Sequence, residues 1–213
     1  MTVSWTPHRF SGGVLALDTA NTVVLRGDPR GFDRFADPAE IARFAEAAST
    51  MRAAELGGRR LAAPEPERIA PVVLEIREAT DRLFRNAVPA GAVATTDMPP
   101  FLRACAKGLE GEDEKIGGPG KPFGDPAAPI AFEAALAVSA LSLLGEGGLG
   151  EGALARLRIC PNCNWLFLDR SRNASRLWCD MAVCGNRRKA SRHYHRRRVA
   201  LAHGEAEREV DDV

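Results

Sequence analysis

Cys160-Pro161-Asn162-Cys163-Asn164-Trp165-Leu166-Phe167-Leu168-Asp169 opens the stretch on which the reading of this chain turns, and Arg176-Leu177-Trp178-Cys179 and Cys184-Gly185-Asn186-Arg187-Arg188-Lys189-Ala190 complete it. Two residues separate the first pair of thiols, fifteen separate the pairs and four separate the second pair. A two-residue spacing lets a tight knuckle aim both sulfurs at one ion, and a second pair closes a tetrahedron from across the loop. Four soft thiolates with no open position describe a structural site rather than a catalytic one, and they favour zinc. Cys160, Cys163, Cys179 and Cys184 are therefore the expected ligands of one structural Zn2+. His193 and His195 lie in the basic stretch that follows and read as surface or phosphate-contacting residues. A module this small cannot bury enough surface alone, so metal binding and folding should be coupled.

Between the pairs, Trp165 to Leu168 suits a strand, Asp169 to Asn173 a polar turn, and Arg176 to Cys179 a returning strand. Gly185 permits a tight turn out of the second pair, and Asn186 is placed to cap a helix. The module is thus expected to be a treble-clef-like hairpin and helix pinned by zinc.

The formal charge of +1 conceals an asymmetry. Residues 151–203 hold 12 Lys/Arg against 3 Asp/Glu, while 1–150 hold 16 against 20 and 204–213 hold 1 against 5. Basic charge confined to one module is the footprint of polyanion binding. Arg170, Arg172 and Arg176 would supply it from the hairpin, and Asn186, Arg187, Arg188, Lys189, Arg192, Arg196 and Arg197 from the helix. A helix start flanked by arginines suits phosphate, so backbone contact is expected ahead of base readout.

The motifs Cys160-Pro-Asn-Cys163, Phe167-Leu-Asp169, Ser171-Arg-Asn173, Arg176-Leu-Trp178-Cys179 and Cys184-Gly-Asn-Arg-Arg-Lys-Ala190 resemble the CGNR zinc-finger family of bacteria. Upstream, Leu15-Ala-Leu-Asp18-Thr-Ala-Asn21-Thr22 and Leu74-Glu-Ile-Arg77-Glu-Ala79 resemble the ABATE domain that usually precedes that finger. The resemblance implies that the four cysteines bind zinc, that the finger binds nucleic acid and that the protein is a stress-induced transcription regulator.

The rest of the chain reads as mostly helical. Gly12 to Val24 suits a helix or a strand-to-helix entry. Asp37, Pro38 and Glu40 make a capping box for a helix whose Ile41, Phe44, Ala45 and Ala48 form one face and which Gly57-Gly58 ends. Pro71 is expected to open a second helix with Val73, Ile76, Thr80, Leu83 and Phe84 inward, Glu75, Arg77, Glu78, Asp81 and Arg82 outward, and Pro89 and Gly91 at its end. A third helix runs from Pro99 or Pro100 to Leu109, residues 111–129 form a Gly/Pro-rich loop, and an apolar helix occupies 130–144. Cys105 is expected in the core. Three domains are expected: 1–150 as a helical sensor or dimerisation domain, 151–203 as the finger, and 204–213 as an acidic tail.

Asp18 and Asn21, three apart, admit two readings: a polar pair lining a small-ligand pocket, or groups that cap a helix and satisfy local backbone. Arg77 on the second helix is placed to answer Asp18 as an ion-pair partner, and with Asp18 and Asn21 it completes the candidate ligand-binding set. With neither a nucleophile–base pair nor a complete phosphate-loop motif, no enzyme is expected. No apolar run reaches eighteen residues, so neither a membrane span nor a signal peptide is expected, and the location is cytoplasmic. The function expected is that of a DNA-binding transcription regulator, acting as a homodimer, with its small-molecule effector unidentified. The alternatives are RNA or single-strand binding, with Trp165, Phe167, Trp178 and Tyr194 stacking on bases, and a zinc-dependent protein-interaction module with a ligand-binding helical domain.

Overall fold

The structure, a computed structural model, describes residues 2–111, 128–147 and 154–187. After a 3-10 turn at Pro7–Phe10 come α1 (Leu15–Ala20), β1 (Val23–Val24), β2 (Phe32–Asp33), α2 (Ala39–Met51) and β3 (Leu61–Ala62). They are succeeded by α3 (Pro66–Ala90), α4 (Met98–Gly108), β4 (Ile130–Ala131), α5 (Phe132–Gly147), β5 (Leu157–Ile159) and β6 (Leu166–Leu168). About half of the described residues are helical, and the described strands form two-stranded pairs: β1 with β2 and β5 with β6 antiparallel, β3 with β4 parallel.

Helix α5 is apolar around its whole circumference, which is the pattern of a buried helix. Phe132, Ala134, Ala135, Leu136, Ala137, Val138, Ala140, Leu143 and Leu144 are all buried, and α1, α3 and α4 pack against it. Its small residues allow close approach. A Cβ on Gly108 of α4 would stand 2.7 Å from Ile76 Cδ1 and 2.9 Å from the Glu133 carbonyl. Cys105 is buried in the core, as expected. The face Ile41, Phe44, Ala45 and Ala48 of α2 is buried too, with Phe44 meeting Phe10, Phe35 and Phe132.

Several local expectations change. Asp37 does cap the first turn of α2, accepting from the Ala39 amide at 3.0 Å, but Glu40 does not complete a box. Its carboxylate instead accepts from the Val3 amide and Trp5 Nε1 and pairs with Arg43, tying the N-terminal segment to α2. Helix α3 starts at Pro66, five residues before Pro71, because Pro66 also fits a first turn whose amides have no helical acceptor. Gly91, at φ 66°, ends it with its amide bonded to the Ala87 carbonyl. Arg77 and Asp81 of α3 face inward rather than outward. Ile130–Ala131 is strand rather than helix, since its partner Leu61–Ala62 lies far away in sequence.

The hairpin differs in its pairing. Leu166–Leu168 is a strand as expected, but its partner is Leu157–Ile159, upstream of the cysteines, and not Arg176–Cys179. The register sets Leu157 against Leu168 and Ile159 against Leu166, so the turn of the hairpin carries Cys160 and Cys163. Leu157, Leu166 and Leu168 belong to the same core cluster as α5.

The outer edge of β6 is closed by residues from α1 and the loop before it. Asn21 Nδ2 donates to the Leu166 carbonyl at 2.8 Å, and Asn21 Oδ1 accepts from the Leu166 amide at 3.0 Å. The Leu168 amide donates to the Gly12 carbonyl at 2.8 Å. Gly13, at φ 97°, leaves room there, since a Cβ would lie 3.3 Å from Leu168 Cβ.

Contacts divide the chain into two compact units, Met1–Cys179 and Asp180–Val213. The division thus falls inside the span 151–203. In the second unit the described residues are a π-helical turn, Met181–Gly185, continued by Asn186 and Arg187. Residues 112–127 of the Gly/Pro-rich loop, residues 148–153, His193, Tyr194, His195 and the acidic tail lie outside the described residues.

Replacing Asn21 with Ala would strand the buried amide and carbonyl of Leu166. The expected loss is about 2–4 kcal/mol, read as a lower urea midpoint. Unchanged stability would show that the two hydrogen bonds carry no weight.

A four-cysteine metal site

Each thiol is placed by a local backbone device. The Cys160 amide donates to the Trp165 carbonyl at 2.8 Å, and the Asn164 amide returns to the Cys160 carbonyl at 2.9 Å. Asn164 takes a left-handed conformation, φ 61°, which an asparagine tolerates better than most side chains. These bonds fold Cys160 and Cys163 onto one side of the knuckle. Asp169, fully buried, shapes the return path. Its Oδ1 accepts from the Ser171 amide at 2.9 Å and its Oδ2 from the Arg176 amide at 2.7 Å. Burial works against this charge, but the hydrogen bonds from Ser171 and Arg176 hold the carboxyl below the usual carboxylate range. Arg176 then donates to the Cys179 carbonyl, with its guanidinium 5.3 Å from the Phe167 ring centroid.

Asp180 caps the last element among the described residues, the turn Met181–Gly185. Its Oδ1 accepts from the Ala182 and Val183 amides at 2.8 and 3.2 Å, at the start of the turn that carries Cys184. Asn186 already has helical dihedrals.

The four Sγ atoms, Cys160, Cys163, Cys179 and Cys184, all lie within 4.8 Å of one another, and Cys163 and Cys179 are 3.5 Å apart. A tetrahedral ion with Zn–S bonds of about 2.3 Å needs sulfurs about 3.8 Å apart. The cluster fits that ion, and it forms one structural zinc site. Three of the four cysteines are buried, which suits a closed site with no position for substrate. A thiol must lose its proton to ligate zinc, so metal binding at this cluster releases protons and is favoured as pH rises.

Residues 156–197 match the family model of the CGNR zinc finger. No curated protein and no solved structure gives a significant match to the chain. The CGNR match thus spans the hairpin, all four thiols and the start of the basic stretch.

Among the basic residues expected to touch nucleic acid, Arg170, Arg172, Asn186 and Arg187 are exposed. Arg176 is half-buried and committed to Cys179 and Phe167. Arg188, Lys189, Arg192, Arg196 and Arg197 lie outside the described residues. Trp165 and Phe167, expected to stack on bases in the single-strand alternative, are 5% and 0% exposed and belong to the interior.

Asp18, Asn21 and Arg77 each engage a different partner among the described residues. A cavity of about 560 Å³ lies between the end of α3 and β5, lined by Val88, Gly91, Leu157, Ile159, Arg158 and Arg176 among others, and it includes none of the three. Asp18 pairs with Arg52 at 2.5 Å and accepts from the Gly12 amide at 2.8 Å. Arg77, expected to answer Asp18, makes a two-pronged pair with Asp33 at 2.7 Å and also meets Glu78. Asn21 satisfies backbone 145 residues away rather than locally.

Sequence reasoning missed Arg52, Glu55, Asp169 and Asp180. The two aspartates had local signals, an Asp169-x-Ser171 turn and an aspartate directly before a helical turn. Arg52 and Glu55 had none. Glu55 accepts from the Leu15 amide and the Ser139 hydroxyl, while Ser139 accepts from the Ala16 amide. Burial pushes the Asp18 carboxyl up to about 7 against the pull of Arg52 and the Gly12 amide, and nearby Glu55 adds to the rise. Burial also raises Glu55.

This geometry has two measurable outcomes. Purified protein should carry one zinc per chain by native mass spectrometry, and Cys184→Ser or strong chelation should abolish it and unfold the finger; full retention of zinc in the variant would refute the ligand set. Asp18 in the native state holds a proton that the unfolded chain has lost between its ordinary value of 3.8 and about 7. Its contribution to stability therefore falls as pH rises through that window. Glu55→Gln can still accept from the Leu15 amide through its carboxamide oxygen and meet Ser139 through its NH2 with the donor reversed, while it removes one of the two acids, so the fall in urea midpoint between pH about 4 and about 7 should flatten. An unaltered slope would place the titration elsewhere.

Proposed function

We propose that the protein is a DNA-binding transcription regulator whose zinc finger delivers it to the duplex. The observation that carries this reading is the basic charge concentrated in 151–203, where 12 Lys/Arg meet 3 Asp/Glu. Arg170, Arg172 and Arg187, all exposed, represent that charge among the described residues. The zinc holds the backbone that displays them, and phosphate contacts from several guanidinium groups supply the affinity. The finger plays no catalytic part, because a closed tetrathiolate leaves zinc no position for a reactant. The helical part, which resembles the ABATE domain in Leu15–Thr22 and Leu74–Ala79, acts as the sensor or pairing element of a stress-responsive regulator. Two-fold pairing would match the symmetry of an operator.

Duplex DNA is favoured over single strands by the burial of Trp165 and Phe167, which removes two of the four aromatic side chains available for stacking.

Zinc-loaded protein should bind random-sequence duplex DNA with a log–log salt slope of roughly −5, corresponding to roughly six phosphate contacts. Cys179→Ser should lose this binding together with its zinc. Failure of the wild-type protein to bind at low salt would overturn the reading.

A further inference from the structure

Beside the zinc knuckle, one patch of the first unit contains donors and cations without matching acceptors. Trp165 is 95% buried, as 5% of it is exposed, and among the described residues its Nε1–H has no hydrogen-bond partner. A buried indole N–H ordinarily finds an acceptor. The guanidinium of Arg34 lies 5.4 Å from the Trp165 ring centroid and 5.7 Å from that of Phe32. The one hydrogen bond described for the Arg34 side chain runs from Nη1 to the Asn21 carbonyl at 3.3 Å, and among the described residues no carboxylate pairs with it. Burial, reinforced by the neighbouring Arg9, pulls Arg34 down to about 10, the behaviour of a cation without its counter-charge. Arg9 is likewise lowered by burial. The acid nearest to it in effect, Glu40, is already engaged by the Val3 amide, Trp5 Nε1 and Arg43. His8, next in sequence to Arg9, stacks on the same indole with ring centroids 5.2 Å apart.

Other arginines of this unit are neutralised: Arg52 by Asp18, Arg77 by Asp33, Arg26 by Glu78 and Arg85 by Asp81. Arg9 and Arg34 are the contrast. Both are half-buried, so solvent reaches part of each. Two guanidinium groups and an unsatisfied N–H call for an acceptor with several lone pairs and negative charge. A phosphate group meets that demand better than a carboxylate, because its oxygens accept from more directions at once.

We infer that Arg9, Arg34 and the Trp165 indole N–H form an oxyanion site that holds one phosphate group. The phosphate comes either from a free phosphate ion or from the phosphodiester backbone of a bound strand. The site stands on its own residues, and it extends the proposed DNA reading only in the second case.

The full zinc-loaded chain would be titrated with inorganic phosphate at constant ionic strength, with chloride as the control, and followed by calorimetry and indole fluorescence. Saturable binding is expected, weakened at least tenfold in Arg34→Gln and severalfold in Trp165→Phe, with zinc content and circular dichroism retained. Should Arg34→Gln fail to fold, Arg9→Gln provides the same comparison. A parallel arm measures the salt slope of DNA binding. A slope reduced by about one in Arg34→Gln assigns the site to a strand phosphodiester. An unchanged slope with intact phosphate binding assigns it to free phosphate. Phosphate binding that persists when DNA binding is absent would sink the proposed function and leave the oxyanion site standing. No saturable phosphate binding together with an unchanged slope, or equal phosphate binding in the variants, would overturn the site.

Discussion

The side-chain amide of Asn21 acts as a stand-in for a neighbouring strand. It donates to and accepts from Leu166, giving the free edge of β6 the pair of bonds that a third strand would supply. The Gly12 carbonyl continues the edge at Leu168. An unpaired edge buried against a helical core would otherwise leave polar groups without partners, which costs more than the bonds themselves contribute. The remainder of the site depends on this attachment, because β6 and its partner β5 hold the knuckle of Cys160 and Cys163 between them.

The attachment also explains the polar residues concentrated in α1. Asp18 fixes the Gly12 loop from beneath, and Arg52 answers its charge. Glu55 and Ser139 then close the amides of Leu15 and Ala16 at the start of the same short helix. A six-residue helix has little stability of its own, so its terminal groups are satisfied by distant side chains. Two acids close to one arginine leave an excess of buried negative charge, and part of it is relieved by protonation. Of the two readings that Asp18 and Asn21 admit in sequence, these contacts give them the structural one, as the seat of the hairpin.

The zinc cluster draws on two kinds of support. The knuckle and the loop leading to Cys179 are shaped by buried hydrogen bonds, chiefly those of Asp169, within a unit that has an extensive apolar core. The turn carrying Cys184 is short and is organised by Asp180. Metal binding therefore adds to a scaffold whose hairpin already shares the helical core, and the fourth ligand comes from the short turn that Asp180 caps. Leu157, Leu166 and Leu168 of the hairpin are members of that core.

Cysteine spacing, charge segregation and helical periodicity are local properties, and through them the chain alone determined the four ligands, the basic module and the inward face of α2. Local grammar also announced the Gly91 stop of α3 and the strand at Leu166–Leu168. Partnership across long separations was decided only by the tertiary structure. It paired β6 with Leu157–Ile159 rather than Arg176–Cys179, gave Asp18 to Arg52 and Arg77 to Asp33, and turned Trp165 inward. The physical reason is that a thiol spacing or a helical repeat is enforced by neighbours a few residues away. An ion pair or a strand edge is chosen by whichever group packing brings within about 3 Å, and that choice leaves no trace in the local pattern.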